Sequence, residues 1–328
     1  MDILIVTPAG KGTRKGNRVT ALRWAGHLRA LGHRVRLGTA YAGEPCDLLV
    51  ALHARRSHGA AAAFRAARSG APLVVALTGT DLYQDLPASA EARSSLALAS
   101  RLVVLQPRAE RALPEEVRGK VRVIYQSARP VAPLAPPEGA FRVCLLAHLR
   151  EVKDPLLAAR AVSRLPASSR VSLVHLGAAL DPADAARAAE AAAAEPRYRW
   201  LGDRPRREAL RTLAGSRLLL VTSRLEGGAN VVTEAIANRV PVLSTRIEGS
   251  LGLLGEDYPG YFPVGDAAAL AALLDRAERE PAFLEELRAR VEALAPLVAP
   301  ADERARWRAL LEELGGPERA RPSAGEEE

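Results

Sequence analysis

Short runs of consecutive apolar residues alternate along almost the whole chain with longer stretches rich in Ala, Leu and Arg, and few folds are compatible with that alternation. In the first half the runs are DILIVTP, RVRLGTA, DLLVALH, PLVVALTG, RLVVLQ and VRVIYQS. In the second they are FRVCLLAHL, RVSLVHLG, YRWLG, RLLLVTS, VPVLSTR and GYFPV. A strand that is apolar at successive positions is buried on both faces, the situation of a parallel sheet covered by helices. Helical stretches lie between the runs, as in RVTALRWAGHLRALG, which ends at Gly32, and DPLLAARAVSRL. Between the halves, residues 128–140 contain Pro130, Pro133, Pro136 and Pro137 and read as a linker. The expected fold class is therefore α/β, with two doubly wound, Rossmann-like parallel-sheet domains facing a central cleft, over residues 1–132 and 133–298. The stretch ADERARWRALLEEL, within 299–316, has the pattern of an amphipathic helix, and residues 317–328 lack apolar periodicity and are expected to be disordered.

A length of 328 residues suits two domains of ordinary size. The net charge of +8 raises the question of nucleic acid. Of the basic residues, however, only Lys11, Lys15, Lys120 and Lys153 are lysines, and the arginines are scattered among glutamates rather than gathered into a stripe. Nucleic acid is therefore not an expected partner. MDILIVTPAG is too short an apolar run for a signal peptide, and no stretch approaches the ~18 apolar residues of a membrane span. Cys46 and Cys144 sit in apolar, strand-like segments and imply no disulfide framework. The expectation is a cytoplasmic enzyme with no membrane partner.

Ligands of such sheets bind beyond the carboxyl ends of the strands, so the turns that follow strands are the candidates. After the first strand, Gly10, Gly12 and Gly16 permit a tight backbone path, Lys11, Arg14 and Lys15 add charge, and Asn17 to Thr20 open a helix whose N–H groups attract an anion. His53 ends a strand and is followed by Arg55, Arg56 and Ser57, a possible base beside two anion clamps. Thr78, Gly79, Thr80 and Asp81 supply hydroxyls, bare backbone and a carboxylate that is equally suited to capping a helix. Gln126 and Ser127 end the last strand of this half, beside the linker. In the second half, His148, Arg150 and Lys153 form a basic turn suited to a diphosphate, with Asp154-Pro155 as the capping pair of the following helix. SRLEGGANVVTEA then places Glu226 before, and Glu234 inside, the helix NVVTEAIAN. The turn between them, Gly227, Gly228, Ala229 and Asn230 with Val231, offers backbone N–H groups at a positive helix end. Two carboxylates that accept from sugar diols, flanking a phosphate site, describe a nucleotide sugar.

EGGANVVTEA, followed by PVLSTRIEG and PVGDAAALAALL, resembles the donor-binding half of the family 4 GT-B glycosyltransferases, and the resemblance extends over nearly the whole chain. It implies that Glu234 binds the nucleotide ribose, that Glu226 binds sugar hydroxyls, and that Lys153 holds the diphosphate. His148 stands where the family usually has an arginine, with Arg150 able to replace the charge. Arg239 stands at the usual helix-ending glycine, with Asn238 expected to take the left-handed turn instead. By the same resemblance, the helix over 299–316 crosses back onto the first domain.

Eight stretches in order, LHARRS, LTGTDLY, RLVVLQ, HLREVKDP, HLGAALDP, YRWLG, SRLEGGANVVTEA and LGEDYPGYFPVGD, further resemble the selenosugar synthases of the selenoneine pathway. That resemblance implies a UDP-sugar donor (UDP-N-acetylglucosamine or UDP-glucose) and selenophosphate as acceptor. The expected neighbours in the pathway are a selenophosphate synthetase upstream and a selenoneine synthase downstream. It implies no metal and no cofactor. The expected acceptor residues are Gly16, Asn17, Thr20, His53, Arg55, Arg56, Thr78, Gly79 and Thr80, and the catalytic ones His53, Glu226 and Lys153. Three other readings compete. A glycosyltransferase with a hydroxyl or thiol acceptor would use the same cleft. A nucleotide-sugar epimerase would need acid–base carboxylates in the first half, where Asp81 alone is thin support. A non-catalytic nucleotide- or anion-binding protein would consume no UDP-sugar.

Overall fold

The computed structural model describes residues 1–13 and 16–315; Arg14, Lys15 and the expected disordered tail lie outside the described residues. Six strands form the first sheet: β1 (Asp2–Val6), β2 (Arg34–Gly38), β3 (Leu48–Leu52), β4 (Leu73–Leu77), β5 (Arg101–Val104) and β6 (Val121–Val123). Its helices are α1 (Gly16–Ala30), α2 (His58–Ala67), α3 (Ala90–Leu98) and α4 (Glu115–Arg118). The second sheet comprises β7 (Phe141–Leu146), β8 (Val171–Leu176), β9 (Tyr198–Trp200), β10 (Leu218–Val221), β11 (Val242–Thr245) and β12 (Tyr261–Phe262). With it go α5 (Leu156–Val162), α6 (Pro182–Ala194), α7 (Arg206–Ala214), α8 (Asn230–Ala237), α9 (Glu248–Leu254), α10 (Ala267–Arg279) and α11 (Pro281–Ala293), followed by α12 (Pro300–Gly315).

All pairings within both sheets are parallel, in the orders β2-β1-β3-β4-β5-β6 and β12-β11-β10-β7-β8-β9. The α/β class with two doubly wound sheets is thus the observed one. Each sheet has a point where the strand order reverses, between β1 and β3 and between β7 and β10. Loops leaving such a pair diverge to opposite faces, and the crevice between them is where doubly wound proteins hold ligands.

α2 and α3 cover one face of the first sheet around Phe64 and Leu96. α1 and α12 cover the other, where Trp24 and Trp307 meet edge to face with centroids 4.9 Å apart. The last helix of the chain is therefore part of the first core, tied further by Glu313 to Arg101 (2.7 Å) and Arg122 (2.8 Å). Cys46 lies in the loop before β3 rather than within a strand, while Cys144 lies in β7; both are buried free thiols.

The end of α8 departs from the expectation. Asn238 keeps φ −96°, and Arg239 itself takes the left-handed turn at φ 57°. Asn238 is engaged elsewhere: its Oδ1 accepts from Val131 N (2.9 Å) in the linker and its Nδ2 donates to Glu234 O (2.7 Å). A side chain at Arg239 pays the left-handed penalty for only an exposed 3.8 Å ion pair with Glu292. Arg239→Gly is expected to stabilise the protein by roughly 0.5–1 kcal/mol, read as a higher urea midpoint at unchanged slope; a lower midpoint would contradict it.

Candidate active site

At the reversal of the second sheet, the loops after β7 and β10 are fastened to each other. A Cβ on Gly177 would overlap the Ala147 carbonyl, so the ends of β7 and β8 lie flush. His175, buried behind them, joins Tyr198 (Nδ1 to Oη, 2.8 Å) and donates from Nε2 to Ala147 O (2.8 Å), and burial pushes its imidazole down to about 4. That neutral ring braces the turn carrying His148, whose Nδ1 accepts from Ala178 N (3.0 Å). One 3₁₀ turn later, Thr222 Oγ1 donates to Lys153 O (2.8 Å) and Arg224 N to Val152 O (2.8 Å). Asp154 does not cap α5: it sits in left-handed backbone (φ 38°) and receives Arg224 (2.9 Å). The outcome of this fastening is contact between Lys153 Nζ and Glu226 Oε1, which also accepts from Ser223 Oγ (2.7 Å). Arg150 stays exposed.

Between Glu226 and α8 the chain makes its Gly-Gly-Ala turn, and no side chain caps the helix at Ala229. Glu234, inside α8, is only 4% exposed. Burial pushes its carboxyl up, while Arg206 at the start of α7, bonded to Oε1, and the more distant Arg23 draw it down.

On the first sheet, the ends of β3 and β4 converge. His53 is buried in left-handed backbone (φ 76°), with Nε2 3.2 Å from Thr80 Oγ1 and 3.7 Å from Asp85 Oδ2. Its Nδ1 faces Arg56 N–H (3.3 Å), which assigns the proton to Nε2. Burial lowers the imidazole's affinity for a second proton; Arg56 and Arg55 act the same way, Asp81 and Asp85 against it. Asp81 does not cap a helix by the ordinary pattern: its carboxylate collects N–H groups from Thr78 (2.9 Å), Gly79 (2.8 Å) and Ala54 (3.0 Å), clamping the two strand ends together. Arg55 and Arg56 are both exposed, and Arg55 forms an ion pair with Asp85 (2.9 Å).

The two halves touch through glycines. A Cβ at Gly227 would lie 2.6 Å from Gly79 N and Thr78 O, one at Gly228 2.6 Å from Leu105 Cβ, and one at Gly252 would overlap the Gln106 carboxamide. Arg108 spans the same seam with a two-pronged bond to Glu248 (2.8 and 2.9 Å). The structure thus brings Glu226, which holds Lys153, and the turn after it against Thr78 and Gly79. It brings Gly16 beside Asn230 and Thr20 to Gln126, and His53 to Thr80 and Asp85. Residues outside the sequence reading also enter: Arg23, Asp85, Arg206, Ser223 and Glu303. Of these, Ser223 is legible as the first residue of SRLEGGANVVTEA, and Glu303 as a carboxylate on the stripe of α12 that carries Trp307, Leu310 and Leu311. A cavity of about 510 Å³ also opens beside the linker, lined by Pro130, Asn238 and Pro300 among others, with neither Lys153 nor any of these carboxylates on its walls.

Two parallel-sheet halves meeting across a cleft, with the last helix returned to the first half, form the GT-B glycosyltransferase architecture. Anabaena HepE, solved in complex with UDP and glucose, superposes with a TM-score of 0.77 at 17% identity, over 95% of this chain and 100% of that one. Sucrose-phosphate synthase from Thermosynechococcus elongatus gives 0.76 at 17% identity, over 95% and 98%. The pneumococcal O-GlcNAc transferase GtfA, in complex with UDP and GlcNAc, gives 0.65 at 16%, over 92% and 60%. At such identities the likeness establishes the fold. No curated protein matches the chain in sequence. The family model described as "Glycosyl transferases group 1" matches residues 131–295, half of the chain, and the protein belongs to that family. Among the described residues, no helix is long and apolar enough to cross a membrane.

Proposed function

We propose that this glycosyltransferase joins the sugar of UDP-N-acetylglucosamine or UDP-glucose to selenium from selenophosphate, releasing UDP and phosphate. In this reading it acts in selenoneine biosynthesis, between a selenophosphate synthetase and a selenoneine synthase. The observation that carries the donor half is the joining of Lys153 to Glu226 beside an uncapped helix start, one helical turn from the buried Glu234. Glu234 then accepts from the ribose diol, Glu226 from sugar hydroxyls, and Lys153 with the turn amides neutralises the diphosphate. HepE and GtfA, both solved with UDP, support a UDP-sugar donor. The selenium half is supported by the eight stretches that resemble selenosugar synthases. The selenium lone pair forms the C–Se bond as the anomeric C–O bond to UDP breaks, and water cleaves the Se–P bond to release phosphate. His53, neutral and hydrogen-bonded to Thr80, orients the acceptor. Mass spectrometry of a reaction with UDP-N-acetylglucosamine and fresh selenophosphate tests the proposal; UDP formed without a selenium-bearing sugar would refute it.

A second reading, transfer to a hydroxyl or thiol, draws on the ion pair between Arg55 and Asp85, which leaves less free positive charge for an anionic acceptor. A product with a simple thiol at a comparable kcat/KM would favour it. For the donor site, Glu234→Ala is expected to weaken UDP binding by about 1–3 kcal/mol. Glu226→Ala should lower turnover and leave UDP affinity nearly intact. Calorimetry with UDP separates the two, and equal losses would undo the assignment.

A further inference from the structure

We infer that Arg23, on the first half, is a positioning residue for the nucleotide-sugar turn of the second half. The inference rests on the donor reading above and names a residue that reading does not include. Arg23 stands where four segments meet, and each edge of its guanidinium is committed. Nε lies 3.0 and 3.1 Å from the two oxygens of Glu303 on α12. Nη1 donates to Asn230 Oδ1 (2.9 Å), the first residue of α8, and Nη2 to Gln126 Oε1 (2.5 Å) at the end of the first half. Gln126 passes the link on, donating from Nε2 to Gly228 O (2.7 Å). The donor turn is therefore held from the first half at two points, Asn230 by Arg23 and Gly228 by Gln126, and Arg23 bonds both Asn230 and Gln126.

The anchor behind Arg23 is rigid. Glu303 has no exposed surface and accepts from Trp24 Nε1 (2.7 Å), His27 Nε2 (3.0 Å) and Ser127 N (2.8 Å) as well. Arg23 is thus preset by α1 and α12 before any ligand arrives. Through Asn230 it sets the start of the helix on which Glu234 sits one turn later. A planar fork serves three acceptors in fixed directions, which an ammonium cannot do.

Calorimetry with UDP on the full chain tests this. Arg23→Lys keeps a charge opposite Glu303 but loses the fork, and it is expected to weaken UDP about three- to tenfold. Asn230→Ala should do the same, and the double variant should fall well short of the product of the two losses, because both variants break the same Arg23–Asn230 link. Gln126→Ala, which cuts the arm to Gly228 and leaves Glu303 its partners, carries the same expectation should Arg23→Lys fail to fold. Wild-type affinity in folded Arg23→Lys or Gln126→Ala, or losses that multiply in the double variant, overturns the inference alone. Absence of UDP binding by the wild-type protein overturns the nucleotide reading, and the inference with it.

Discussion

Gly227→Ala is expected to cut turnover at least about 100-fold, because a single methyl group keeps the two halves from meeting. The methyl would lie 2.6 Å from backbone atoms of Gly79 and Thr78, and backbone cannot swing aside as the end of a side chain can. Relief has to come from the halves moving apart, which displaces Thr78 and Gly79 from Glu226 and Gly227. Small-angle scattering should show a larger radius of gyration for the variant than for the parent. Gly26→Ala is the control: it lies exposed within α1 with nothing within 4 Å of the added carbon, so turnover should hold and stability rise by up to about 1 kcal/mol. Parental turnover and scattering in Gly227→Ala would show that the seam has no part in the reaction.

Glu303→Ala is expected to destabilise the protein by about 3–5 kcal/mol, since it strands Arg23 in a nearly closed site and removes the acceptor of Trp24, His27 and Ser127. The same carboxylate makes the fold sensitive to acid. Burial opposes its ionisation, but Arg23 and the hydrogen bonds of His27 and Ser127 prevail and hold it at about 2, against an ordinary 4.5. A carboxyl whose value is lower in the folded chain binds its proton more tightly when unfolded. Its contribution is therefore complete above about 4.5 and disappears as pH falls toward 2, with a span on the order of 3 kcal/mol. Urea unfolding at stepped pH should show this loss in the parent, and Glu303→Gln should flatten it over the same interval. An equal acid slope in the variant would assign the loss to other carboxylates.

The twelve strands fall where the apolar runs are, and the helix-closing Gly32 takes the left-handed backbone (φ 88°) that such an end requires. These features depend on residues a few positions apart, whose period and turn chemistry are written locally, and so are the basic turn and the two glutamates around Gly227 and Gly228. The contact between Lys153 and Glu226 was expected only as proximity at a shared sheet edge; it is strand order, with β7 beside β10, that joins them. At Arg239 local preference was overruled: Asn238 is the better left-handed residue, yet its amide is held by Val131 and Glu234, so the turn falls to its neighbour. By sequence Asp81 is a turn carboxylate equally suited to capping a helix, and only the approach of Ala54 from another strand end makes it a clamp. Arg23 and Glu303 stand 280 positions apart, and neither is unusual among many arginines and glutamates along the chain. Sequence alone thus determined the α/β elements, the division into two halves and the family, because these depend on local periodicity and contiguous motifs. Which charges meet, which carboxylates serve the backbone and how closely the halves approach were decided by the tertiary structure, because desolvation and pairing arise only when distant segments share the same space.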